Sequence, residues 1–123
     1  MRLLLDTQAV VWWLDDDGRL SDRAADAIGQ SGQDAVISAA SVWELSIKRA
    51  AGRYVGDDLL GPAQAAGFTI LAMSGEHAKL AGELPAHHRD PFDRMLVAQA
   101  LIEDRVLVTA DAVIPAYGVP VLW

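Results

Sequence analysis

The sequence contains no cysteine, which removes disulfide frameworks, thiolate nucleophiles and cysteine-held zinc at once. It also lacks a long apolar run. Leu3, Leu4 and Leu5 are cut short by Asp6, far below the length of a signal-sequence core or a membrane span, so the expected setting is the cytoplasm. Cations are scarce, with ten Lys and Arg against 17 Asp and Glu and a net charge of −7. That balance argues against non-specific nucleic-acid binding over the whole surface. It leaves room for a local basic rim, or for an acidic pocket that binds metal. No glycine-rich phosphate loop, G-x-G-x-x-G or Ser-His-Asp ordering is present. What remains is a chain of 123 residues, 52% hydrophobic and 22% charged. It has no repeat, linker or low-complexity run, and is sized for one domain over residues 1–123.

Short apolar runs alternate with helical patterns. Arg2–Leu5 reads as a buried parallel strand, followed after Asp6 and Thr7 by an apolar helix over Ala9–Leu14. Asp15-Asp16-Asp17-Gly18 reads as a solvated turn, and Ser21 as the cap of a second helix ended by Gly29 and Gly32. Ala35–Ser38 is the next strand. Ser41-Val42-Trp43-Glu44 then has the form of a capping box, with Gly52 as the stop and Lys48 one turn beyond Glu44. Asp57 or Asp58 suits a cap before Leu59 and Leu60, with Gly61-Pro62 as an interruption; alternatively Pro62 opens the helix that runs to Gly67. Phe68–Leu71 is a strand, Ser74 caps a helix over His77–Leu84, and Val106–Thr109 and Val119–Trp123 are the last strands. Pro120 cannot donate to a ladder, which makes the final strand an edge. The alternation predicts an α/β domain with a mainly parallel central sheet flanked by helices.

Between these elements Asp90-Pro91-Phe92-Asp93 opens a nearly all-apolar helix, with Asp90 at the N-cap, Pro91 at the first position and Asp93 placed to reach back to the cap. Capping plus a favourable helix dipole is a sufficient explanation for each acid taken alone. Taken together they share a pattern: Asp6 and Asp111 follow strands, while Glu44 and Asp93 stand near helix starts. In an open parallel sheet those positions share one edge, where ligands bind. Asp93 joins that edge only if its loop returns there. Four carboxylates in one place repel unless a cation neutralises them, and oxygen ligands select a hard ion such as Mg²⁺ or Mn²⁺. Phosphodiester hydrolysis suits such a site. His87 and His88 precede Asp90; neighbouring histidines can ligate metal, but adjacent positions point apart.

These residues resemble the PIN-domain ribonucleases, in particular VapC-type toxins of type II toxin–antitoxin pairs, over nearly the whole length. Leu3–Ala9 resembles the family's first strand and first acid, Ser38–Lys48 the segment of the second. His88–Ala100 resembles the third and Val108–Asp111 the fourth. The family pattern aligns its third acid with Asp93 and leaves Asp90 as an additional one. Gln8 departs from the His common there in close relatives. The resemblance implies a Mg²⁺-dependent endoribonuclease with Asp6, Glu44, Asp93 and Asp111 around the metal, a homodimer, an RNA substrate and a small antitoxin partner that covers the site. Thr7, Ser41 and Thr109 are candidates to orient carboxylates or waters. Lys48, Arg49, Arg53, Arg89 and Arg94 are the cations placed to meet phosphates. A haloacid-dehalogenase-type phosphotransferase would want an Asp where Gln8 stands, and a receiver-type module an acidic pair where Thr7 follows Asp6. A PIN-like scaffold that binds RNA or protein without cutting is the remaining alternative.

Overall fold

A computed structural model of the chain describes residues 1–123. Five parallel strands form one sheet: β1 (Leu3–Leu5), β2 (Ala35–Ser38), β3 (Thr69–Leu71), β4 (Val106–Val108) and β5 (Val121–Leu122). Their order is β3-β2-β1-β4-β5, with every pairing parallel. β5 is therefore an edge strand, as Pro120 requires. β1 lies at the centre with all three leucines fully buried, which explains its unbroken apolar sequence. Alternation then sorts side chains onto two faces. Leu3, Leu5, Ala35, Ile37 and Val108 join one core; Leu4, Val36 and Leu107 join the other.

The first core is covered by helices α1 (Thr7–Leu14), α2 (Asp22–Ser31) and α4 (Leu60–Ala65) through residues such as Val10, Ile28 and Ala63. The second is covered by α6 (Pro91–Glu103) through Leu96, Val97 and Ala100. Two further helices, α3 (Ala39–Ala50) and α5 (Gly75–Glu83), complete the domain. Ser21 caps α2 by accepting the Ala24 N–H, as its sequence predicts. Asp90 likewise caps α6 by accepting the Phe92 N–H at 2.8 Å, with Pro91 at the first position.

Four local expectations are corrected. Helix α3 starts two residues before Ser41, at Ala39, because Ser38 at the end of β2 turns its hydroxyl onto the Ala40 N–H and caps the helix there. Ser41 and Glu44 thus lie inside α3, and the S-x-x-E spacing is not a capping box. The capping box belongs to α5, which starts at Gly75, where Ser74 and His77 exchange side-chain and backbone bonds. Gly61-Pro62 does not interrupt α4, nor does Pro62 open it. Pro62 sits in the first turn, where a missing N–H leaves no helical bond unmade, and Asp58 accepts the Gly61 N–H. Finally, Asp93 does not reach back to its cap; the Asp90 N–H donates to His88 Nδ1 instead.

The strand order creates the site's position. The chain runs outward from β1 to β2 and β3, then returns to the opposite side of β1 for β4 and β5. The order reverses beside β1, and such a switch point opens a crevice at the C-terminal edge of the sheet. Asp6 follows β1 there, with its backbone N–H still bonded to the Val108 carbonyl of β4.

Candidate active site

Asp6 is both the last step of a strand ladder and the N-cap of α1. Its Oδ1 accepts the Ala9 N–H at 2.7 Å. Burial pushes its carboxyl above the ordinary value, the Thr109 hydroxyl and the Ala9 N–H pull back, and Glu44 and Asp111 push further up. The Asp6 carboxylate opens on a cleft of about 220 Å³ that Thr7, Glu44, Lys48, Arg53 and Asp93 also line.

Glu44 reaches that cleft from the second turn of α3. Its Oε1 accepts the Thr7 hydroxyl at 2.7 Å and its Oε2 pairs with Lys48 at 3.0 Å. Thr7 Oγ1 is also 2.9 Å from Ser41 Oγ. One hydroxyl proton cannot serve both bonds, so Ser41 supplies the proton of the second. The chain Ser41–Thr7–Glu44 fixes the carboxylate across the gap between α1 and α3.

Asp93 stands in the first turn of α6 and faces the cleft. Its carboxyl is pushed up to about 7, first by burial and then by Asp90, with Glu44 and Asp111 adding to it; His88 alone pulls down. One Asp93 oxygen lies 3.2 Å from His88 Nε2; the other has no protein partner. The same His88 nitrogen is 2.8 Å from Asp111 Oδ2. Burial raises Asp111 too, but the Val113 N–H and the His88 bond outweigh it and hold this carboxyl below its ordinary value. Thr109 Oγ1 accepts the Asp111 N–H at 3.1 Å and shapes the loop after β4.

Asp6, Glu44 and Asp93 therefore share one cleft, and Asp111 adjoins it through His88. The ligand atoms of His88, Asp93 and Asp111 lie within 4.8 Å of one another; Asp6 and Glu44 stand outside that tight group. Asp90 spends its Oδ1 on the α6 backbone as its cap, and lines the neighbouring depression instead of the acidic cleft itself. His87 is not in that group; its ring packs edge-on against Tyr117 with centroids 4.9 Å apart. The place of His88 between Asp93 and Asp111 is set by tertiary packing, not by their spacing in the sequence. A usable signal exists: a histidine two residues before a cap can take the cap's own N–H on Nδ1, which turns Nε2 outward.

The candidate phosphate contacts separate sharply. All three guanidinium nitrogens of Arg94 donate to carbonyls of Ala81, Gly82, Leu84, Pro85 and His88. That guanidinium closes the C-terminal end of α5 and is not placed for phosphate, contrary to the expectation from its position. Arg49 donates to the Gly56 carbonyl and Lys48 pairs with Glu44. Arg53 and Arg89 have neither ion pair nor hydrogen bond from their guanidinium groups. Both line a depression that shares Glu44, Lys48 and Arg53 with the acidic cleft.

The fold is found in known structures. VapBC2 from Rickettsia felis bound to a promoter DNA fragment superposes with a TM-score of 0.71 at 15% identity, covering 99% of this chain and 98% of that one. DNA-bound VapBC from Salmonella typhimurium gives 0.71 at 16% identity, covering 99% and 97%. A toxin–antitoxin complex from Klebsiella pneumoniae gives 0.69 at 19%, covering 98% and 96%. No curated protein matches the sequence. The sequence model of the PIN domain matches residues 3–119, nearly the full length and a span that includes Asp6, Glu44, Asp93 and Asp111. The chain belongs to the PIN-domain family.

Proposed function

We propose that this protein is a divalent-metal-dependent endoribonuclease, the toxin of a type II toxin–antitoxin pair acting in the cytoplasm. The observation that carries the reading is the meeting of Asp6, Glu44 and Asp93 in one cleft with Asp111 in their electrostatic field. The protein leaves this negative charge only partly compensated: Asp93 is held near neutrality in its proton affinity, and one of its oxygens has no partner. An all-oxygen set of this kind fits Mg²⁺ or Mn²⁺. Asp6, Glu44, Asp93 and Asp111 would hold the ion among them, with the Asp93 and Asp111 oxygens already close together. When bound, such an ion supplies charge to a phosphodiester and lowers the pKa of an attacking water.

The chain's own residues do the remainder. Arg53 and Arg89, unpaired and beside the cleft, attract the phosphates that flank the one being cut. The Ser41–Thr7–Glu44 chain holds its carboxylate in one orientation, so no reorganisation is needed when substrate arrives. Trp43 is 56% exposed and packs edge-on against Phe92 with centroids 5.1 Å apart, beside exposed Ile47 and Met73. An apolar patch of that kind, next to the cleft, suits a protein partner, whether a second copy or an antitoxin. Similarity to toxin–antitoxin complexes supports the partner assignment.

Purified protein is expected to cut single-stranded or looped RNA with Mg²⁺ or Mn²⁺ and to stop in EDTA. Cleavage that persists in EDTA overturns the metal reading. Folded, metal-binding protein that cuts no RNA instead favours a PIN scaffold that only binds. Expression is expected to be toxic and to be relieved by a co-expressed small partner; harmless expression of nuclease-active protein removes the toxin role.

A further inference from the structure

His88 lies in the loop between α5 and α6, and nearly every polar atom it has is engaged. Its backbone N–H donates to the Tyr117 hydroxyl at 2.7 Å, and its carbonyl accepts from Arg94 at 3.3 Å. Its Nδ1 accepts the Asp90 N–H at 3.2 Å. A backbone amide is always a donor, so Nδ1 carries no proton and the ring proton sits on Nε2. Nε2 in turn faces Asp111 at 2.8 Å and Asp93 at 3.2 Å. The tautomer is thus set by the helix cap, on the side of the ring away from the acids. For Nε2 to bind a cation directly, the proton would have to move to Nδ1, against the Asp90 N–H. Breaking that bond would loosen the start of α6, where Asp93 stands.

We infer that His88 is a positioning residue, not a metal ligand: its Nε2–H, fixed by the Asp90 N–H on Nδ1, holds the Asp111 carboxylate beside that of Asp93 for a divalent cation. This rests on the metal-dependent reading above. Two carboxylates whose oxygens approach within 4.8 Å of each other and of Nε2 repel; the Nε2–H bond fixes Asp111 against that repulsion, with an Asp93 oxygen 3.2 Å from the same nitrogen, and leaves other lone pairs open. Asp111 is the more tightly held partner, since its Oδ1 also accepts the Val113 N–H at 2.9 Å. Arg94 and Tyr117 then act on the site through His88. They pin its backbone from α6 and from the turn at Ile114–Tyr117, so the ring cannot drift away from the acids.

The test uses full-length protein, ¹⁵N NMR of the imidazole ring and Mn²⁺ as the probe. With the His88 signals assigned by their loss in His88→Gln, the metal-free protein is expected to show a protonated Nε2 and an unprotonated Nδ1. A protonated Nδ1 overturns the inference whatever the metal does. Pulsed EPR of bound Mn²⁺ is expected to show no directly bonded imidazole nitrogen; a nitrogen coupling that vanishes in His88→Ala makes His88 a ligand and overturns it too. Mn²⁺ affinity, by calorimetry, is expected to fall about tenfold or more in His88→Ala and to recover largely in His88→Gln, which places an amide N–H near the same point. Unchanged affinity in a folded His88→Ala removes the positioning role. Absence of Mn²⁺ binding by the unsubstituted protein overturns the metal reading itself, a result the ring tautomer separates from an error in the hydrogen-bond assignment.

Discussion

Helices α1 and α6 both begin with an aspartate cap beside the same cleft, yet they divide the work differently. At α1 one residue does everything: Asp6 caps the helix through Oδ1 and lines the cleft. At α6 the tasks are split, with Asp90 bonded to the Phe92 N–H and Asp93 facing the cleft three residues later. The difference follows from what precedes each helix. Asp6 leaves β1 directly, with its backbone still in the sheet, so its side chain is at the sheet edge already. Asp90 arrives from a loop, and only one turn into α6 does a side chain reach that edge. Capping a helix and lining the cleft are therefore not rival explanations of an acid at a helix start; chain direction decides whether one residue can do both.

The largest expected effect tests that division at the level of chemistry. Asp6→Asn and Asp93→Asn are each expected to lower RNA cleavage on the order of a hundredfold or more, since each removes charge from the cation's support. Because Asn also caps, Asp6→Asn is expected to melt close to the unsubstituted protein. Asp90→Ser is expected to cleave within a few-fold of normal. A dead Asp90→Ser beside an active Asp93→Asn would reverse the assignment of the pair.

Next comes the response of the metal-free protein to pH. Asp93 is raised from 3.8 to about 7 in the folded state. Below about pH 4 both folded and unfolded chains hold this proton. Between about 4 and 7 only the folded chain keeps it, so unfolding releases a proton and rising pH favours unfolding. Asp6 is shifted in the same direction and adds to the trend; Asp111 is shifted oppositely. In EDTA the melting temperature is expected to fall from pH 4.5 to 7 and then flatten, and Asp93→Asn is expected to weaken the slope. A melting temperature that climbs steadily through this interval would contradict the burial argument for Asp93.

Smaller effects belong to the caps and the surface. Asp90→Ala is expected to destabilise the fold by about 0.5–2 kcal/mol, and Asp90→Ser to restore most of it. Loss without recovery in Asp90→Ser would mean that its charge, not its capping bond, is what matters. Lys48→Ala removes one partner of an i,i+4 pair at the cleft wall, Lys48 being the more exposed member, and is expected to cost only about 0.3–0.5 kcal/mol in chemical denaturation. A markedly larger loss would show that Lys48 also orders Glu44 within the cleft.

The sequence alone determined the features that depend on near neighbours or on periodicity. Unbroken apolar triplets and quartets mark strands buried on both faces, their alternation with helices demands parallel pairing, and Pro120 confines its strand to an edge. The acids at strand ends follow from the same logic, because topology alone carries Asp6 and Asp111 to one rim. Only the tertiary structure decided the rest. Ser38, not Ser41, starts α3, since a hydroxyl at the end of a buried strand was closer to the first amides than the better-looking motif. Glu44 is oriented by Thr7, 37 positions away, and His88 meets Asp111 across 23. Arg94 is turned from a plausible phosphate contact into the closure of α5 by carbonyls 6 to 13 residues before it. Caps and periods are set within one turn of chain and can be read there. Which donor meets which acid is set by how separate loops pack at the edge of the sheet, and no local pattern encodes that.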